Sequence, residues 1–460
     1  MTEIPFPPFE PTFPWAADVL SYGQTGPMLA AMEFTGWRHE STAWKDAAYL
    51  GASLGISPTY RIKGPGARQF FADRFVNDFS RLQVGGIRHG IMLDDEARIL
   101  ADGVVMRTGE DEYLATWLSP AIDWAFESGA YDAVGENVTG QVFLFQVAGP
   151  RSLEILERAT GEDLHDIAFA RHRLSAIDGH PVRILRLGMA GTLSYEVHGA
   201  FPDSHAVYQA IREAGAEYGL VRQGKWAYML NHTEDGFPQA YYHFPYPWYE
   251  TPDFAAWLDA RPGAGFFADH PRYLGSAGTD PAKRYLNPFD AGWGDRIDWD
   301  HDFVGKEALR RLADAPARAV VTLEWDSDDV ADVWASQYRE GPLYDQFDRP
   351  AEIQFDSGTF DGRTGQFRTM GFRADLVVDG DREVGIAVGR ATSIGYRRMI
   401  SLAFIDASLA VEGTELAVLW GQPDGPQKRI RARVARYPYL EATNNRDYDV
   451  ETIPHPVNAG

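Results

Sequence analysis

Residues 182–199, VRILRLGMAGTLSYEVHG, decide the reading of this chain. Val182 and Ile184, with a second apolar set at Leu185 and Leu187, carry the alternation of a strand. The pattern breaks at Gly188 and Gly191 and resumes as Leu193, Tyr195 and Val197. Glycines at such a break mark a turn where backbone can approach a ligand closely. A helix is expected next, N-capped by Asp203, with Ala206, Val207, Ala210, Ile211 and Ala214 on one face and Gly219 as its stop. The segment then runs on to GKWAYMLNHTEDGF at 224–237, so that 182–237 reads as a βαβ-like unit. Within it Glu196 sits on a strand whose alternate neighbours face inward, where a carboxylate is out of place unless something satisfies it.

Working outward, 460 residues exceed one ordinary core, so two or three domains are expected. A 45% hydrophobic and 13% aromatic composition excludes a disordered chain. The formal charge of −23 repels phosphate backbones and anionic lipid, which argues against nucleic-acid and membrane-surface roles. With no cysteine there is no disulfide, thiolate-held zinc, iron–sulfur cluster or Cys nucleophile. The opening MTEIPFPPFEPTFPW lacks a basic n-region, and no apolar run approaches membrane-spanning length, so a cytoplasmic protein is expected.

Residues 1–35 are Pro- and Gly-rich and are expected to wrap over a domain. Phe70, Phe71, Phe75 and Phe79 recur at helical spacing and read as core. The stretch GGIRHGIMLDDEARILADGVVMRTGEDEYLATWL from Gly85 reads as a meander, in which Asp102 is a turn-former before Gly103. Gln141 to Val147 is a further strand, followed by a helix that carries Leu153, Ile155 and Leu156. Residues 237–250, FPQAYYHFPYPWYE, are too aromatic and Pro-rich for a regular element and read as a lid or pocket wall. From about residue 318 short strands at 385–389, 400–405, 415–421 and 428–436 argue for a separate β-domain of barrel or sandwich type. The boundaries are 1–35 for the wrapping segment, 36–317 for the catalytic region, 318–445 for the β-domain and 446–460 for a tail.

Several motifs compete. Gly51-Ala-Ser53-Leu-Gly55 matches GxSxG, but AWKDAAYL precedes it and Ile56-Ser57-Pro58 follows, a poor context for a nucleophile elbow. Asp300-His301-Asp302 has no second histidine cluster nearby and reads as turn chemistry rather than a metal site. No Walker loop or GxGxxG supports a nucleotide cofactor. His243, among aromatics, is a pocket candidate, with a satisfied core histidine as the bland alternative. A half-buried Glu196 can accept two N–H bonds from a heterocycle such as an aminopyrimidine, and Tyr228 matches a phenoxide leaving group in basicity as general acid. On the residues alone, a structural glutamate and a core tyrosine remain open.

The segment from Gly85 to Thr116, FQVAGP at 145–150, LRLGMAG…YEVHG at 185–199, NPFDAGWG…DHDFVGKEAL at 287–309 and GRATSIGY at 389–396 together resemble the aminomethyltransferase (glycine-cleavage T-protein) superfamily. Within it the chain is most similar to tetrahydrofolate-dependent aryl O-demethylases acting on vanillate and syringate. The resemblance spans residues 20–440. It implies an α+β fold, two α/β subdomains that bind folate plus a C-terminal antiparallel β-barrel or sandwich.

By that resemblance Gln146 contacts the folate, Glu196 anchors the pterin, and Phe237 stands where the demethylases place a tryptophan against the folate. Thr116 lines the folate site, Tyr228 falls on the catalytic tyrosine, and Asp102 on an aspartate of catalytic importance in the T-proteins. On the substrate side the pattern departs. Leu118 stands where the demethylases hold a carboxylate with arginine, Gly55-Ile56 where they carry paired histidines, and Tyr22 is the one nearby N-terminal tyrosine. Ser53, Ile56 and His243 would border the substrate, and Arg272 could replace the missing clamp. The implied activity is methyl transfer from a small methoxylated, aromatic substrate to N5 of tetrahydrofolate, with no metal. A same-superfamily enzyme using an S-methyl or N-methyl donor, and a non-catalytic folate-binding protein, are the alternatives.

Overall fold

The computed structural model describes residues 18–25, 28–51, 57–240, 242–261, 272–314, 316–347, 349–352, 359–361, 366–368 and 371–456. A six-stranded sheet runs in the order His172–Ile177, His180–Leu185, Ser194–Ala200, Val142–Ala148, Ala48–Gly51, Leu220–Gln223. Its neighbours are antiparallel except the last pair. The unit read from the sequence is therefore a hairpin followed by a crossover. The helix Ser204–Gly215 carries the chain from Ser194–Ala200 to Leu220–Gln223, past two intervening strands. A short 3₁₀ turn extends that helix to Gly219, whose φ of 73° ends it. Asp203 is the N-cap residue, but its carboxylate caps nothing and pairs with His180 at 3.0 Å.

Period two sorts the side chains of this sheet. Phe143, Phe145, Tyr195 and Val197 point to the helices Ser152–Thr160 and Ser204–Gly215, where Leu153, Leu156, Val207 and Ile211 complete a buried core. Gln146, Ser194, Glu196 and His198 alternate with them and so take the other face, with Glu196 paired across the strands to Gln146.

The meander forms as expected, as Ile87–Leu93, Ile99–Gly109 and Glu112–Thr116, extended by Thr59–Lys63 and Val134–Asn137 into a five-stranded sheet. Asp102 is not a turn-former: it lies inside the strand Ile99–Gly109, opposite Ile91. The Phe-rich stretch is core throughout, yet its helix stops at Arg74. Phe75 is extended and Phe79 follows outside the helix; both remain fully buried because the chain is covered on every side. Phe71 stacks against Phe70, Phe75, Phe79 and Tyr113 at 4.8–5.3 Å. Phe71→Ala should cost about 3–5 kcal/mol of stability, measured as a shift of the urea midpoint.

A closed barrel of Arg318–Trp325, Arg398–Asp406, Arg382–Ser393, Asp375–Asp379, Glu415–Trp420 and Lys428–Ala435 forms the C-terminal part. The strand Asp375–Asp379 and the helix Ser327–Ala335 are not marked by the strand spacing of the sequence. After the barrel the chain returns to the first sheet, where Val450 and Ile453 join the helix-covered core and Arg186 donates to the carbonyls of Asn445 and Tyr448. At the other end, the hairpin Ser21–Thr25 with Met28–Glu33 leads to Glu40. That buried carboxylate accepts from the amides of Phe34, Thr35, Gly36 and Gly224, fixing the start of the helix Lys225–Asp235. Among the described residues, no helix is long and apolar enough to cross a membrane.

Candidate active site

The polar faces of the two sheets, the end of the helix Lys225–Asp235, the 292–298 segment and residues 444–447 enclose a cavity of about 940 Å³. On the six-stranded side Glu196 reaches it, 5% exposed, its Oε2 accepting from His198 Nε2 at 3.0 Å. The Gly188–Gly191 turn forms the rim beside it. A Cβ at Gly188 would collide with Ser194 and crowd the Gln146 amide, and one at Gly191, where φ is 66°, would overlap the Asp235 carboxylate. Gln146 itself lies just beneath this surface, its Oε1 accepting from Tyr49 at 2.5 Å and its Nε2 buried with no hydrogen-bond partner.

Across the cavity Asp102 is held from three directions. Tyr246 donates to its Oδ1 at 2.7 Å and accepts from its backbone amide at 2.9 Å, while His89 Nε2 meets Oδ2 at 2.9 Å. The Arg296 guanidinium donates to His89 Nδ1, which fixes the proton on Nε2 and makes His89 a neutral donor to Asp102. Burial, and then the Arg296 charge, hold the His89 pKa below its usual value. Phe237 edges onto His89 and tilts against Trp293 at 5.4 Å, with Arg296 over both rings. Thr116, which lines the same wall, has a buried hydroxyl without a partner.

Asp102, Thr116, Glu196 and Phe237 therefore share one cavity, with Gln146 behind it. Tyr228 is near but not in its wall. It is 1% exposed, its hydroxyl makes no hydrogen bond of ordinary geometry, and burial pushes its pKa well up. The Gln239 amide, which does line the cavity, stands loosely in front of that hydroxyl, and the Glu196 charge also acts on it. His232 packs tilted against Tyr228 at 4.3 Å, donating from Nδ1 to the Tyr228 carbonyl.

The candidates for the substrate side do not gather at this cavity. Leu118 is fully buried in the core under Gly103, where the meander sheet packs on its helix. His243 is a core histidine, its Nδ1 accepting from the Gln239 amide and its ring packed on Gly389. Tyr22 is half-buried on the N-terminal hairpin, and Arg272 is exposed on a strand paired with Gly371–Arg373. Ser53 and Ile56 lie outside the described residues.

Residues 27–242 match the family model described as the GCVT N-terminal domain. The sesamin methylene transferase of Sinomonas sp. (strain No.22) is 48% identical over 437 residues, covering 93% of this chain and 95% of that protein. The chain belongs to the aminomethyltransferase family. The syringate O-demethylase of Sphingobium sp. (strain NBRC 103272 / SYK-6) is 29% identical, covering 92% and 93% of the two chains. The aminomethyltransferase T of Bartonella henselae, at 16% identity, shares the fold with a TM-score of 0.65 over 92% of this chain and 95% of that one. As a member of this tetrahydrofolate-dependent family the protein is an enzyme that transfers one-carbon groups.

This aminomethyltransferase-family site includes residues the sequence reading passed over. His89 and Arg296 carry the Asp102 side, although 207 positions separate them. Trp117, Gln239, Asp235 and, after the last barrel strand, Asn445 and Arg446 also line the cavity. Asn445 donates to Ser194, so the returning chain closes the glycine turn from outside. Tyr246 comes from the aromatic 237–250 segment, which was expected to form a pocket wall.

Proposed function

We propose that this enzyme moves a one-carbon unit from an aryl ether to tetrahydrofolate, with a methoxylated aromatic as donor and the methyl group passing to N5. The observation that carries the reading is the pairing, across one cavity, of Glu196 with the Asp102–His89–Arg296 set. The residues fit a reduced pterin. Glu196 offers two acceptor oxygens for the donors of the aminopyrimidine edge, and the unpartnered Gln146 amide and Thr116 hydroxyl remain to be satisfied. Phe237 packs beside the ring.

Bound tetrahydrofolate supplies the amine nucleophile that accepts the one-carbon group. The chain's own work is orientation and proton handling. Glu196, Gln146 and Thr116 fix the pterin, and Asp102, pinned by Tyr246 and His89, presents an acceptor toward the reacting side. Tyr228, a neutral phenol just behind the cavity wall with only the loosely placed Gln239 amide in front of its hydroxyl, protonates the departing aryl oxygen once Gln239 gives way. Leu118, at the position where the resemblance expects a carboxylate-binding arginine, is buried in the core away from the cavity, so it offers a donor carboxylate no charge partner and favours donors without one. No resident metal is called on.

A second reading is favoured by one relative. Sesamin methylene transferase, at 48% identity, is named for transferring a methylene group, so a methylenedioxy bridge is the competing donor. Incubation with tetrahydrofolate and, in parallel, a methoxyphenol, a methoxybenzoate and a methylenedioxybenzene separates the two. The first reading yields 5-methyltetrahydrofolate by mass, the second 5,10-methylenetetrahydrofolate. Absence of both products with every donor would overturn the proposal.

A further inference from the structure

The cavity holds a carboxyl that the roles above do not use. Asp235 closes the helix Lys225–Asp235, where the helix dipole opposes a negative charge, and it lines the cavity with no side-chain hydrogen bond or ion pair among the described residues. Its oxygen lies against Gly191, in the turn that leads into the Glu196 strand, and the Asn231 amide one helical turn earlier donates to the Ala190 carbonyl of the same turn. Asp235 and Glu196 both line this cavity.

We propose that Asp235 is a second carboxyl ligand of the bound reduced pterin, engaged as the neutral acid while Glu196 engages as the ion. The proposal rests on the folate reading. A reduced pterin presents adjacent donors on its aminopyrimidine edge, which an ionised carboxylate matches with two acceptors. Elsewhere on its rim donors and acceptors alternate, and there a protonated carboxyl, with one O–H and one carbonyl, is the complement. Two carboxyls in different protonation states thus read two different edges.

The surroundings favour the neutral form. Asp235 is half-buried at the cavity wall, and the desolvation it meets there pushes its carboxyl up to about 7. The titratable groups facing it are Tyr49 from the strand Ala48–Gly51 and Tyr437 from the segment after the barrel, both phenols whose pKa is raised by burial. Other charged groups of the cavity wall include Glu196, Asp102, Asp295, Arg296 and Arg446, and no ion pair links any of them to Asp235 among the described residues. If the neutral form binds, affinity is full below pH 7 and falls as pH rises, and binding above pH 7 takes up a proton.

The test is calorimetry of the full-length enzyme with 5-formyltetrahydrofolate, in two buffers of different ionisation enthalpy at pH 6 and pH 8. The wild type should take up most of a proton per ligand at pH 8 and much less at pH 6, with Kd weakening severalfold or more between them. Asp235→Asn should lose that pH-linked uptake and hold a nearly constant Kd. Equal uptake in wild type and Asp235→Asn, or a wild-type Kd flat with pH, overturns the role of Asp235 alone. Failure of the wild type to bind at either pH overturns the folate reading beneath it. The wild-type measurement stands by itself should Asp235→Asn melt early.

Discussion

Replacing Glu196 by glutamine is expected to weaken binding of a reduced folate by about 100-fold or more, equivalent to about 3 kcal/mol. The substitution preserves shape and removes charge. A carboxylate can accept from two ligand donors at once, and His198 fixes it by donating to Oε2. The amide has one acceptor oxygen. Whichever way it turns, its NH2 faces either the His198 donor or a ligand donor, so one buried contact becomes donor against donor. Ligand affinity should carry the loss, since a site that fills poorly still orients what it binds. Calorimetry with 5-formyltetrahydrofolate measures it, and a melting curve matching the wild type shows that the fold survives. A Kd within threefold of wild type would remove Glu196 from the ligand.

That residue was legible because its signal is local. The glycine break and the period-two alternation at Leu193, Tyr195 and Val197 set Glu196 on the face opposite its apolar neighbours, whereas its register opposite Gln146 is visible only in the structure. Asp102 was legible only through family resemblance. As a residue pattern, an aspartate before glycine reads as a turn, and nothing nearby shows that Tyr246, 144 positions on, will hold it inside a strand. Arg296 and Asn445 are further cases, each defined by partners more than 200 positions away. The early helix end at Arg74 was illegible for another reason. Phenylalanines buried on all sides keep no periodicity, so Phe75 and Phe79 look helical without being so. The meander and the barrel were readable since each strand there has its own turn signals, whereas Asp375–Asp379 sits too close to its neighbour Arg382–Ser393 to stand out.

The opposite separation, of rate from binding, is expected at Tyr228. Tyr228→Phe should lower kcat by about 10²–10⁴-fold, the usual worth of a positioned proton donor, and leave the Kd for a reduced folate nearly unchanged. It should also raise stability. The Tyr228 hydroxyl is buried with only the loosely placed Gln239 amide before it, and a hydroxyl so poorly satisfied costs up to about 1–3 kcal/mol relative to one that is satisfied or absent. Phenylalanine keeps the ring against His232 and Tyr242 and discards the poorly satisfied oxygen. A structural tyrosine would behave differently: its hydroxyl would have a partner, and its loss would lower the melting temperature. A merely buried one would raise stability and leave turnover alone. Only a hydroxyl kept for a substrate gives both changes together, a higher melting temperature with slower turnover. The donor's leaving group supplies the internal control. A donor whose aryl oxygen is made less basic by electron-withdrawing substituents needs less proton assistance, so the kcat ratio between wild type and Tyr228→Phe should shrink along such a series. A ratio that stays constant would mean that Tyr228 acts on something other than the departing oxygen.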